Sequence, residues 1–528
     1  MVSDVGQTVY TRNATGLVRD FSWFDAFQIS VSATAPTLLS FALSFVFVET
    51  AYPGANVLLV LFFGFIFSLP LGVVYFLLPQ VMPRSGGDYV WVSRVVNPVI
   101  GFAAGFGFWV ANAAVVGTTI YLEASSILPL TLASFGYAYN NSALISFVAS
   151  ITTPTSVFLV GLGALVVASA ITAFGSRVFS RVMKVLFVLI FTSTVVCVLI
   201  IGLSSHSDFV SALNNYGGTS ITYNGVISSA QQGGWSFVPI TLTGTLLSTP
   251  LAVFLFAGFN FSAAASGEVR NVKKSMLYGV IVSLIFCWGM ISLGVIVTQN
   301  VVGYQFLQAS FALGSKWPLV APPWVPLFAS ILTKGNPILL ILLNAGFVIG
   351  VIWNAAGIFL AITRYVFAFS FDRAYPLFLA DINERFHFPV KATIINFIVA
   401  AIFLGLATFT SYVGLFLNIS VIDTVMWALA SFVAIILPYK KKDLAKALPG
   451  SNWGVPLLTI IGIISLILML ANFYFAVTIP AIGPSTLGAD AILVTIFVIG
   501  FIIYGISYTS HKGKGLNLNL IYSEIPPE

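Results

Sequence analysis

Charge is what this sequence has least of. Of its 528 residues only 7% are Asp, Glu, Lys or Arg, while 59% are hydrophobic and the mean hydropathy is +1.02. A soluble protein carries about 25% charged residues, so a water-facing globule is excluded and lipid is left as the main neighbour. Histidine is scarce too. His206, His387 and His511 all fall between apolar runs, and no apolar run holds a His/Cys/carboxylate cluster of metal-ligand spacing. The two cysteines, Cys197 and Cys287, sit singly in apolar runs and read as core residues that say nothing of redox compartment. No Gly-rich phosphate loop follows a strand. A membrane enzyme, or a pump driven by nucleotide hydrolysis in this chain, finds no machinery, and no metal or prosthetic group is expected. The N-terminal stretch is polar, with Arg12, Arg19 and Asp20, and does not read as a cleavable signal.

What is present is long apolar windows. Runs of about 17 to 25 residues read as membrane-spanning helices, and twelve occur: near 27–48, 57–78, 99–122, 156–174, 182–203, 246–266, 277–298, 339–362, 393–409, 415–437, 456–477 and 491–508. Two further stretches, 128–150 and 304–330, are broken by Pro, Gly or polar clusters and are expected as external loop helices. The cations set the orientation. Of the 22 Lys and Arg, all but Lys316 and Lys334 lie before span 1 or after an even-numbered span. By the positive-inside rule both termini are then cytosolic. The net charge of +6 therefore reads as topology, not as a nucleic-acid footprint. The 204–245 segment has no Lys or Arg and is rich in Gly, Ser, Asn and Tyr, as suits an external loop.

Two spans are interrupted. Span 6 begins as an apolar helix from Pro250. It then meets Ala257, Gly258, Phe259 and Asn260, resumes with small residues from Ser262 to Gly267, and ends on Glu268. Span 1 carries Ser32, Ala33, Thr34, Ala35 and Pro36. Within a bilayer each unpaired backbone polar group costs several kcal/mol, so broken helices survive only where protein or a wet cavity receives them. For span 1 alone a plain proline kink is the bland alternative. Five spans separate the two breaks, so they run in opposite directions, as an inverted repeat of spans 1–5 and 6–10 requires. The chain then divides into a cytosolic segment 1–24, a first repeat 25–203, an external loop 204–245, a second repeat 246–438, spans 11 and 12 within 439–510, and a tail 511–528.

The helix ends suggest a chemistry. Free N–H groups at the second half of span 1 favour a carboxylate. Free carbonyls ending the first half of span 6 favour an ammonium. Together they suit an α-amino acid, with Phe254, Phe256 and Phe259 as an apolar wall or gate; core packing is the alternative for these rings. Asp25, Glu49, Glu123, Glu268 and Asp490 fall at span ends and read as caps or ion-pair partners within reach of water. Asp423 lies well inside span 10 and is a candidate for proton coupling, or a paired structural group.

Three stretches resemble the amino acid–polyamine–organocation transporters. After span 2, PRSGGDYVWVSR looks like the first cytosolic loop of that family, with Gly86, Gly87 and Tyr89. After span 6, GEVRNVKK is similar to its Glu-Val-x-Asn-Pro-x-Arg/Lys signature, with Val272 replacing the proline. After span 8, Arg364, Asp372 and Pro376 match an Arg-x7-Asp-x3-Pro stretch. The tail SEIPPE is similar to endings of archaeal and bacterial members. The resemblance implies an all-α polytopic fold with the five-plus-five inverted repeat of the LeuT type, discontinuous helices 1 and 6, and a site between them. It also implies an amino acid as substrate, with Gly258 as the unwound glycine and Phe254 as the gating aromatic, and gives Asn260 a polar position found in some exchangers. Gly86, Gly87, Glu268, Arg364 and Asp372 become the cytosolic gate motif. Two departures stand out. Ala33, Thr34 and Ala35 replace the usual Gly-Ser-Gly, and Ile190 stands where many sodium-independent members have a lysine. Sodium, proton and exchange coupling all stay open; for sodium, the carbonyls near Ala33 and the side chain of Asn354 are the expected ligands.

The expectation is a secondary transporter of amino acids in the cell membrane, with a small solute and the bilayer as partners and no nucleic acid. The alternatives are a same-fold carrier of a polyamine, nucleobase or amide, or a membrane sensor that binds without flux. No anionic side chain stands in the two breaks, which weighs against a polyamine.

Overall fold

The computed structural model describes residues 17, 19–216, 219–383, 385, 388–410, 416–479, 487–514, 516 and 518–523, with the backbone alone at 416–420, 487–490 and 519. Arg12, His387, the Asp490 side chain and the end of the tail, 524–528, lie outside the described residues. Among those described, helices make up the fold and only two isolated bridges are paired as in sheets. Eleven helices are long and apolar enough to cross a bilayer. The window at 246–266 is not among them, because it is broken.

Asparagines open many helices. Asn56 accepts from the Leu59 N–H (3.1 Å), Asn97 from Val99 (2.8 Å) and Asn336 from Ile338 (3.0 Å), each satisfying a backbone donor that would otherwise be orphaned. The helices after these caps run Val57–Val81, Pro98–Leu122 and Pro337–Phe371. Outward faces such as Val185, Val188 and Leu189 of the Ser176–Gly202 helix stay exposed, as a lipid-facing surface requires.

Several expectations change. Span 3 does not stop at 122. A π-turn at Glu123–Ile127 carries it into Leu128–Ala138, so the first half of the expected 128–150 loop helix continues a span. The wider turn gives Leu128 a bond to the Glu123 carbonyl and accommodates Pro129, which has no N–H to donate. Only Ser142–Ile151 is a separate helix. Segment 204–245 contains two helices, His206–Asn214 and Tyr223–Gln232, rather than open loop. Glu49 and Glu123 do not reach water: both are buried, and both Glu49 oxygens and one Glu123 oxygen have no hydrogen-bond partner. Asp25 is buried too, but it caps Ser22 and pairs with Lys184 at 3.0 Å.

Spans 1 and 6 lie side by side in opposite senses. Span 1 starts where span 6 finishes: the Phe21 N–H donates to the Glu268 carbonyl (3.1 Å) and the Arg270 N–H to the Phe21 carbonyl (3.0 Å). At the far end the Asn56 N–H donates to Thr245 Oγ1 (2.9 Å). The antiparallel pair is the scaffold for what lies between.

Candidate functional site

Both spans open at the same depth. Span 1 is helical through Trp23–Thr34, breaks at Ala35 and resumes at Leu38–Ala51. Ala35 sits in the left-handed region (φ 48°), a conformation costing about 1–2 kcal/mol outside glycine. The break thus falls a little later than expected, and Ser32, Ala33 and Thr34 are still helical. Pro36 accounts for this, since its ring excludes the carbonyl four residues earlier, at Ser32, from a helical bond. That carbonyl and the one at Ala33 instead accept from Asn354 Nδ2, both at 2.9 Å. The second half of span 1 has no side-chain cap at Thr37, so its leading N–H groups face outward unpaired by the helix.

Span 6 ends its first half at Leu255, turns through Phe256 to Asn260, and continues as a 3₁₀ segment over Phe261–Glu268. Gly258 adopts φ +108° against the break of span 1. A Cβ there would lie 2.7 Å from the Ala33 carbonyl carbon and 2.8 Å from both Ala33 Cβ and Thr34 N. The two breaks are therefore in contact, and Thr34 Oγ1 donates to the Phe256 carbonyl at 3.4 Å.

Beside this contact lies a cavity of about 60 Å³, room for a few waters. Ala33, Thr34 and Ala35 line it from span 1, Phe254 and Ala257 from span 6, and Asn354 from span 8. Asp423 of span 10 and Asn112 of span 3 close the other wall, with Asn112 Nδ2 donating to Asp423 Oδ1 at 2.9 Å. Several candidates do not reach it. Ser32 turns its hydroxyl to the Ile29 carbonyl (3.0 Å). Phe256, Phe259 and Asn260 are buried in the core, and Asn260 Oδ1 has no partner. Phe261, which the sequence did not single out, is the second ring on the wall.

One end of the bundle is closed by buried charge. Glu268 and Arg364 form a bidentate pair, Oε1 to Nε at 2.7 Å and Oε2 to Nη2 at 2.5 Å. Arg94 grips Asp372 the same way (2.5 and 2.6 Å), and Tyr89 donates to Asp372 at 2.8 Å. Gly86 and Gly87, both at positive φ, let the loop after span 2 dock onto span 6, where the Gly86 N–H donates to the Ala264 carbonyl at 2.9 Å. Sequence reading missed Arg94, counted there only as a topology charge, and Tyr522, whose ring lies 4.8 Å beneath the Arg94 guanidinium.

Asp88, in the short Gly87–Val95 helix between spans 2 and 3, accepts from the hydroxyls of Tyr75 (2.5 Å) and Tyr365. Burial pushes its carboxyl up from 3.8 to about 6, against the lowering pull of the Tyr365 and Tyr75 hydroxyls and the Tyr89 N–H. A raised folded-state value means stability present at low pH is lost as pH rises through it. The melting temperature of the wild type minus that of Asp88→Asn is therefore expected to fall between about pH 4 and pH 6 and to flatten above about pH 7. A difference independent of pH across that window would remove Asp88 as the titrating group.

A family model described as amino acid permease matches residues 21–503. A methylthioribose transporter of Bacillus subtilis is 26% identical over 232 residues, 44% of this chain and 46% of that protein. A vacuolar cationic amino acid transporter of Arabidopsis thaliana is 25% identical over 215 residues, 41% of this chain and 31% of that protein. An uncharacterized amino-acid permease of Schizosaccharomyces pombe is 28% identical over 332 residues, 59% and 52% respectively. The chain thus spans about half or less of the length of these relatives.

Proposed function

The chain belongs to the amino acid permease family, and on that premise we propose that it is a secondary transporter carrying an α-amino acid across the cell membrane by alternating access. The observation that carries this is the contact of two broken, antiparallel helices at Gly258 and Ala33 beside a cavity. There the unpaired N–H groups of span 1 suit a carboxylate and the span 6 turn supplies carbonyls for an ammonium. The site takes its residues from spans 1, 3, 6, 8 and 10, in line with a repeat of spans 1–5 and 6–10. The cavity holds room for only a few waters, so a solute with a long side chain enters only when the walls part. The paired charges at Glu268–Arg364 and Arg94–Asp372 then mark the closed, cytosolic gate, with both termini on that side by the positive-inside rule.

Coupling by proton or by exchange fits better than sodium. The Ser32 and Ala33 carbonyls expected as sodium ligands are already engaged by Asn354 Nδ2, which leaves the Asn354 Oδ1 as the free acceptor there. Counterflow in proteoliposomes, with a panel of amino acids and with or without sodium and a pH gradient, tests the reading. Saturable, competable uptake of at least one amino acid without sodium is expected. No such uptake for any member of the panel would overturn the transporter assignment, and strict sodium dependence would overturn the coupling.

A further inference from the structure

The cavity between the broken helices is lined by a carboxyl group that no cation among the described residues answers. Asp423 lines it and is 1% exposed. Among the described residues its hydrogen-bond partner is Asn112, whose Nδ2 also donates to the Phe108 carbonyl at 2.9 Å. An amide donor holds the carboxyl in place but supplies no charge partner. The buried cations near the closed end are already spent: Arg364 on Glu268, and Arg94 on Asp372. A buried charge is tolerated when it is paired, and here the wall beside Asp423 is the open cavity. The other walls are apolar or neutral and include the side chains of Phe254 and Phe261.

Building on the transporter reading, we propose that Asp423, held by Asn112, is the specificity-determining residue of this site and selects solutes bearing a second positive group, the ammonium or guanidinium of a basic side chain. The α-carboxylate and α-ammonium lie at the breaks of spans 1 and 6, and the side chain points across the cavity to span 10. The sequence argued against a polycation because neither break holds an acidic residue. The structure brings the missing acidic residue from a span more than 150 residues further along the chain.

The test compares lysine and leucine in proteoliposomes of wild type and Asp423→Asn. In the wild type lysine is taken up with the higher kcat/KM. In the variant the lysine-to-leucine ratio of kcat/KM falls roughly 30-fold or more, since removing one partner of a buried charge pair is worth 2 kcal/mol or above. Asp423→Glu, which keeps the charge, restores part of that ratio. An unchanged ratio in Asp423→Asn, or a wild type that carries only leucine, would overturn the inference; loss of both substrates in step would mark Asp423 as a coupling or structural group instead. If neither solute is transported by the wild type, the amino acid panel decides the transporter reading, and thermal-shift titration with lysine decides the inference alone. Stabilisation of wild type but not of Asp423→Asn supports it, and equal or absent stabilisation sinks it.

Discussion

Gly258→Ala is expected to reduce amino acid uptake by about 100-fold while the protein still folds and elutes as the wild type does. Two effects add at this one carbon. At φ +108° an L-residue is strained, at a cost of about 1–3 kcal/mol. The new methyl would also stand 2.7 to 2.8 Å from the carbonyl carbon and Cβ of Ala33 and from the Thr34 nitrogen. Two of those three are backbone atoms, so no rotamer change relieves them, and overpacking of this kind costs another 1–3 kcal/mol or so. The break of span 6 must then withdraw from that of span 1, which moves the carbonyls and the N–H groups that would hold the two ends of one solute. A shift of about 1 Å in such positions is enough for a loss near 100-fold. Adding Ala33→Gly removes the side-chain clash but not the backbone ones, so the double variant should recover only part of the uptake. Wild-type uptake by Gly258→Ala would show that this contact is not needed for transport.

The breaks were legible because their causes are local. A glycine among small residues in span 6, and a proline after Ala35 in span 1, each disrupt a helix on their own account. The register of the span 1 break was not legible, since the carbonyls that Pro36 frees are taken by Asn354, more than 300 residues away. The run of span 3 past Glu123 was hidden for a related reason. Pro129 reads as a terminator unless a π-turn precedes it, and nothing in the composition of EASSI announces one. Charge gave the mirror case. Arg94 and Arg364 were counted among cation-rich loops, yet Arg364 lies within the Pro337–Phe371 helix, and their partners Asp372 and Glu268 lie 278 and 96 residues off, so the reading placed them toward water and the fold buries them. Asn112 likewise lies 311 residues from Asp423. Sequence shows which groups are expensive to bury; only the packing shows which of them are answered.

Glu268 and Arg364 provide the sharpest test of that last point. Their side chains are 3% and 0% exposed, and the guanidinium also stacks over Phe388 at 4.4 Å. Removing one partner strands the other charge, which costs about 3–5 kcal/mol, whereas replacing both with apolar groups is often close to neutral. Glu268→Met and Arg364→Met should therefore each lower the melting temperature strongly, and the double variant should be more stable than the sum of the two single losses by about 2 kcal/mol or more. The gate adds a second readout. In a Cys197→Ala, Cys287→Ala background carrying Thr34→Cys, a membrane-impermeant thiol reagent applied from the side of the pair should label the cavity slowly. In either single variant the labelling should quicken, because the bidentate bond between span 8 and the end of span 6 is what keeps that side shut. Strict additivity in the double variant would mean that the two residues do not stabilise one another. Unchanged labelling in the single variants would mean that the closure of this end rests on Arg94 and Asp372 instead.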